Sequence, residues 1–121
     1  MSKRILVVED EEDSRRILRD LLTSADYEIV EAENGEEALT AAAKQRPDLI
    51  LMDIHLPIMD GYEATRRIKA DPTLTHVPVI AVTSYSLSGD KEKARAAGCD
   101  DFVPKPFSPR QLLAKIRQIL R

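Results

Sequence analysis

The sequence predicts an α/β fold, five parallel strands in one doubly wound sheet with a helix after each strand. Three observations carry that prediction. Short apolar runs alternate with stretches of helical periodicity along the whole chain. The runs are mostly continuous rather than alternating, as in strands covered on both faces. The connections are short, with no linker or low-complexity stretch, so residues 1–121 read as one domain.

The elements follow in order. Ile5–Val8 reads as a strand buried on both faces, and Ile17, Leu18, Leu21 and Leu22 form the stripe of a first helix. Glu28–Ala32 alternates and reads as a strand nearer an edge. Asn34 caps a second helix, with Glu37 three residues on and Ala38, Leu39 and Ala42 on its inner face. Leu49–Met52 is the third strand. Tyr62, Thr65, Ile68 and Lys69 mark the third helix, with Tyr62 and Ile68 as its anchors. Val79–Val82 is the fourth strand. Asp90 to Ala97 is a helix poor in large apolar groups that stops at Gly98. Asp101–Val103 is a short fifth strand. Ser108 caps the last helix, Pro109 fills its first turn, and Leu112, Leu113, Ile116, Ile119 and Leu120 are its buried side.

Composition excludes several classes. Apolar residues at 43% and charged residues at 32% rule out a disordered chain. The longest apolar runs fall far short of the roughly 18 residues of a membrane span. Eighteen basic against twenty-one acidic residues disfavour direct nucleic-acid binding. No signal sequence opens the chain, and Met1 reads as a natural start. The lone Cys99 cannot form an internal disulfide; it fits a reducing cytoplasm and a core position, and cysteine zinc sites are excluded by count.

In an open parallel sheet, ligands gather beyond the carboxyl ends of the strands. Glu9, Asp10, Glu11, Glu12 and Asp13 follow the first strand, Asp53 the third, Thr83 and Ser84 the fourth, and Pro104, Lys105 and Pro106 the fifth. Glu11, Glu12 and Asp13 suit a helix N-terminus. Asp10 and Asp53 follow core strands directly, where a carboxylate is costly unless a cation or donor meets it. Crowded carboxylates without a His/Cys cluster favour a hard divalent cation, Mg²⁺ or Mn²⁺. Lys105 is aimed at the same crevice and could pair with Asp53. Carboxylate, cation, ammonium and hydroxyl together suit phosphoryl transfer to give an aspartyl phosphate on Asp53.

These residues resemble the receiver domain of two-component response regulators, the flavodoxin-like fold of CheY. The matching segments are Val7-Val8-Glu9-Asp10, Asp48 to Asp53, Leu56 to Gly61, Pro78 to Thr83, Ala97-Gly98 and Lys105-Pro106-Phe107, in order over essentially the whole chain. The resemblance implies strand order 2-1-3-4-5 and Asp53 as phospho-acceptor. It implies Asp10 as a direct Mg²⁺ ligand, Glu9 assisting through water and the His55 backbone carbonyl as the third protein ligand. Thr83 and Lys105 match the phosphoryl-contacting hydroxyl and ammonium, Lys105–Pro106 a cis bond, and Phe102 the aromatic switch. His55 and Tyr85 flank the water route and tune phosphoryl lifetime; His76 reads as surface.

The implied function is a cytoplasmic phosphorelay switch, not a metabolic enzyme. It takes its phosphoryl group from a sensor histidine kinase or histidine phosphotransfer protein and loses it slowly. It signals to a downstream protein target or effector domain through the face of helix four, strand five and helix five. The expected state is a monomer or a phosphorylation-dependent homodimer, with Asp100, Asp101, Lys91, Lys115 and Arg117 near its charged positions and Gln111 where an acid is common. No membrane contact is expected. The chain is either a stand-alone regulator or a receiver from a longer protein.

Three rivals remain in view. Haloacid-dehalogenase-like phosphatases use an aspartyl nucleophile but need a second acid where this chain has His55. A flavodoxin-like cofactor binder would bring phosphate against Glu9 to Asp13, which repel it. A receiver-like module without phosphorylation would only bind partners.

Overall fold

The computed structural model describes residues 2–83 and 89–120. Strands and helices alternate as β1 (Arg4–Val8), α1 (Glu12–Ser24), β2 (Glu28–Ala32), α2 (Gly35–Gln45), β3 (Leu49–Asp53), α3 (Gly61–Ala70), β4 (Val79–Thr83), α4 (Asp90–Ala97), β5 (Asp101–Pro104) and α5 (Pro109–Leu120). Every pairing is parallel and the order is β2-β1-β3-β4-β5. The chain steps outward from β1 to β2, then crosses back to β3. That reversal puts the carboxyl ends of β1 and β3 side by side, at the point where open sheets bind ligands.

Strand periodicity splits the core into two layers. Ile5, Val7, Leu49, Leu51, Ile80 and Val82 pack against Leu18 and Leu22 of α1 and Leu112 and Ile116 of α5. Leu6, Val8, Ile50, Met52 and Val79 face Ala38 and Ala42 of α2 and Ala64 and Ile68 of α3. Both faces of the central strands are therefore dry, which explains their continuous apolar runs. Truncating one of these side chains to alanine costs about 2–5 kcal/mol.

The helix boundaries have local causes. The Asn34 side chain accepts from the Glu37 N–H at 2.9 Å, and Glu37 in turn accepts from the Glu33 N–H at 3.0 Å. Ser108 Oγ accepts from the Gln111 N–H at 3.3 Å. Asp60 caps α3 in the same way, through the Glu63 N–H at 2.9 Å. Gly98, at φ 106°, ends α4 in the left-handed region that glycine tolerates.

Two side chains depart from the sequence pattern. Ile17 is 60% exposed, because α1 buries the narrower stripe of Leu18 and Leu22. Tyr62 is half-buried, and the residues that anchor α3 are Ala64, Thr65 and Ile68. The cause is Gly61. A Cβ built there would collide with the Asp53 carbonyl oxygen and lie 2.8 Å from the Ile54 Cα. The first turn of the helix thus starts against the β3 backbone and leaves no room there for a side chain at position 61. Tyr62 is displaced toward α4, with its hydroxyl 3.5 Å from Asp90 Oδ1.

Candidate functional site

Asp53 and Thr83 are the last residues of β3 and β4 rather than the first residues after them. Both are buried, Asp53 at 6% exposure. Glu9 follows β1, and its N–H donates to the Ala32 carbonyl at 3.0 Å, so the end of β2 fixes where the chain leaves the sheet. Asp10 beside it is exposed. Carboxylate oxygens of Glu9, Asp10 and Asp53 lie within 4.8 Å of one another.

Lys105 reaches this crevice from the segment after β5, where the Lys105–Pro106 peptide is cis. Its N–H donates to the Thr83 carbonyl at 2.6 Å, which ties the segment to β4. The ammonium does not pair primarily with Asp53. It lies 2.8 Å from Glu9 Oε2 and 3.8 Å from Asp53 Oδ2. Glu9 is also buried, so it too needs a cation, and it is the acid that Lys105 meets at hydrogen-bond distance. Asp53 Oδ1 instead accepts from the His55 N–H at 3.1 Å.

The electrostatics follow from this crowding. Burial, then the charge of Glu9, push the Asp53 carboxyl up to about 7, against the pull of Lys105. Burial works against the Lys105 ammonium, but the Glu9 hydrogen bond and the charges of Asp53 and Glu9 outweigh it and hold its pKa above the ordinary lysine value. Three carboxylates crowd together, and the Lys105 ammonium pairs with Glu9 and, at 3.8 Å, with Asp53. That excess of negative charge, built only from oxygen donors, fits a hard divalent cation of the Mg²⁺ type.

Phe102 pairs with Ala81 across β4 and β5 and packs half-buried near Ile54, Ala81 and Ala94. It therefore bridges the strand that ends in Thr83 and the inner side of α4. Asp100 is exposed, and its Oδ2 accepts from Lys69 Nζ at 2.9 Å and the Val79 N–H at 2.8 Å. Asp101 pairs within the chain to Lys115 at 3.0 Å. Glu12 and Asp13 lie in the first turn of α1 behind Glu11 at its N-cap, outside the acidic trio. Ser84 and Tyr85 lie outside the described residues. His76 is exposed.

Two residues frame the site in ways that sequence alone did not assign, although Gly61 closes the matching Leu56 to Gly61 segment. Gly61 could be suspected from its place directly after the capping Asp60, since it allows α3 to meet the acceptor strand. Arg15 looks like any helix-surface arginine, yet its Nη1 donates to the Glu9 carbonyl at 2.9 Å.

Comparison with known proteins agrees with this geometry. The family model for the response regulator receiver domain matches residues 5–117. The polar-differentiation response regulator DivK of Brucella anthropi is 43% identical over 99% of this chain and 98% of that protein. The receiver domain of sensor histidine kinase PA1611 from Pseudomonas aeruginosa, solved with a magnesium ion coordinated in its active site cleft, superposes with a TM-score of 0.93. It is 37% identical, and the match covers 99% of this chain and 98% of that one. The chemotaxis protein CheY4 of Vibrio cholerae gives a TM-score of 0.93 at 29% identity over 99% of this chain and all of that chain. None of the described helices is long and apolar enough to cross a membrane. Motif order, sheet topology and these likenesses together place the chain in the response regulator receiver domain family of two-component signalling.

Proposed function

We propose that the chain is a phosphorylation-driven switch in which Asp53 accepts a phosphoryl group from a phosphohistidine on a sensor histidine kinase or histidine phosphotransfer protein. The observation that carries this reading is the buried Asp53 carboxylate, set at a strand end among two further acids and one ammonium. Glu9, Asp10, Asp53 and the His55 carbonyl would hold Mg²⁺ or Mn²⁺. Such a cation supplies charge neutralisation for the phosphoryl oxygens.

The protein's own groups do the rest. An Asp53 oxygen bonds to phosphorus as the donor's P–N bond breaks, and the leaving imidazole takes up a proton. The Lys105 ammonium, held by Glu9 and 3.8 Å from Asp53 Oδ2, pairs with the incoming charge. The Thr83 hydroxyl donates to a phosphoryl oxygen, and Phe102 shifts into the space that Thr83 vacates. The readout is altered partner binding at the face of α4, β5 and α5. No turnover of a separate substrate is expected, only slow loss of the phosphoryl group.

The test is intact mass after incubation with acetyl phosphate, with and without Mg²⁺, beside Asp53→Asn. One added phosphoryl group that needs both Mg²⁺ and Asp53 supports the switch. No addition, with the donor active on a control receiver, would leave a module that binds partners without phosphorylation.

A further inference from the structure

Asp10 is the exposed member of the acidic trio, and no hydrogen bond or ion pair to the described residues holds its carboxylate. Its direction is therefore set by the backbone that carries it. Among the described residues, the peptide joining Glu9 to Asp10 is anchored at its carbonyl by the Arg15 guanidinium at 2.9 Å. Arg15 is fixed in turn. Its side chain is 13% exposed; Nε pairs with Glu31 Oε1 at 3.1 Å, and Nη1 lies 3.8 Å from Glu33 Oε1. Glu31 also meets Arg19 at 3.3 Å. Three parts of the fold converge here: β2 holds the guanidinium, α1 carries it, and the guanidinium holds the turn between β1 and α1.

We propose that Arg15 is a positioning residue for the divalent cation site, locking the Glu9–Asp10 peptide so that the Asp10 carboxylate faces Asp53 and Glu9. This inference rests on the cation site proposed above. Outer contacts that orient ligands commonly change metal affinity by about 10–100-fold when removed. The geometry suits arginine, because a planar fork can serve the carbonyl and Glu31 together, whereas an ammonium is a single point.

The sign of the effect separates positioning from simple charge. A guanidinium near a cation site repels the cation, so its loss by Coulomb's law alone tightens binding. Loss of a positioning contact weakens it. The test is calorimetric titration of MgCl₂ into wild type, Arg15→Met, Arg15→Lys and Lys69→Met, with melting temperatures recorded without metal. Lys69 lies at the opposite end of the sheet, where its ammonium donates to the Val77 carbonyl at 2.7 Å; its variant controls for lost stability.

Arg15→Met should bind Mg²⁺ about tenfold more weakly, and Arg15→Lys by a smaller factor. Lys69→Met should bind like wild type. If Arg15→Met does not fold, Arg15→Lys alone carries the test, and wild-type affinity there overturns the proposal. Unchanged or tighter binding by a folded Arg15→Met would overturn it too. Equal weakening in Lys69→Met would do the same, by showing that any loss of stability loosens the site. Wild type that binds no Mg²⁺ would overturn the cation site itself and this inference with it.

Discussion

The two ends of the sheet treat their acids in opposite ways. At the amino ends, Asp48 and Asp100 stand one residue before β3 and β5 and use the same device. Asp48 Oδ2 accepts from the Arg4 N–H at 2.7 Å, and its own N–H donates to the Arg4 carbonyl at 2.7 Å. Asp100 does the same with Val79, and Lys69 neutralises it at 2.9 Å. At the carboxyl ends, carboxylate oxygens of Glu9, Asp10 and Asp53 crowd within 4.8 Å of one another, with Lys105 on Glu9. One end spends its acids on stitching neighbouring strands. The other end concentrates unbalanced charge and is ready to receive a cation. The difference teaches that a carboxylate's role in this fold depends on which end of a strand it occupies.

The largest expected effect is on chemistry. Asp53→Asn should abolish phosphorylation by acetyl phosphate, read by intact mass, while circular dichroism stays native; labelling at the wild-type level would refute the acceptor assignment. Next, Asp10→Ala should weaken Mg²⁺ binding by about tenfold or more with little change in metal-free stability, since its carboxylate makes no hydrogen bond to the described residues. Asp100→Ala should show the reverse. It removes a carboxylate that serves a backbone N–H and an ammonium, so chemical denaturation should report a loss of about 2–3 kcal/mol while Mg²⁺ affinity stays put. An Asp100→Ala protein that lost Mg²⁺ affinity would break the division between the two ends.

The smallest effect concerns backbone strain near the site. Ile58 is 75% exposed and holds φ at 72°, a region unfavourable to a β-branched residue, in a turn closed by the Met59 N–H to the Pro57 carbonyl. Ile58→Gly should stabilise the fold by about 1 kcal/mol. No gain in the denaturation midpoint would show that contacts of the Ile58 side chain offset the strain.

Much of this division could be read in the sequence, for a physical reason. Runs such as Leu49–Met52 are long enough to mark strands, and an acid directly after such a run must lie at the sheet's carboxyl end. Asp53 was legible on that ground. The Glu9–Lys105 pair was less so, because which of two neighbouring acids a lysine meets depends on distances of about one ångström. Asp100 read as an acid of the face of helix four, strand five and helix five; it is exposed, but its pairing with Lys69, 31 positions away, left no mark in the sequence. Arg15 was illegible, because its partner is a backbone carbonyl, which leaves no trace in residue identity. The displacement of Tyr62 followed from how closely α3 approaches the sheet at Gly61, which periodicity does not encode, and Ile17 is exposed beside the narrower buried stripe of α1.

Crowding of the carboxyl-end acids strains the metal-free fold, and a bound cation would relieve it. With Asp53 pushed up to about 7 in the fold and near 3.8 unfolded, the folded state binds the proton more tightly. Stability from this group is therefore present at low pH, falls as pH rises from about 4 to 7, and stays low above that. The most direct measurement is the melting temperature of wild type and Asp53→Asn from pH 4 to pH 8, with and without Mg²⁺. This repulsion predicts near-equal melting at pH 4. At pH 8 the metal-free Asp53→Asn protein should be more stable by a few kcal/mol, and Mg²⁺ should narrow that gap by stabilising wild type more. Equal pH profiles for the two proteins, with the same response to Mg²⁺, would contradict it.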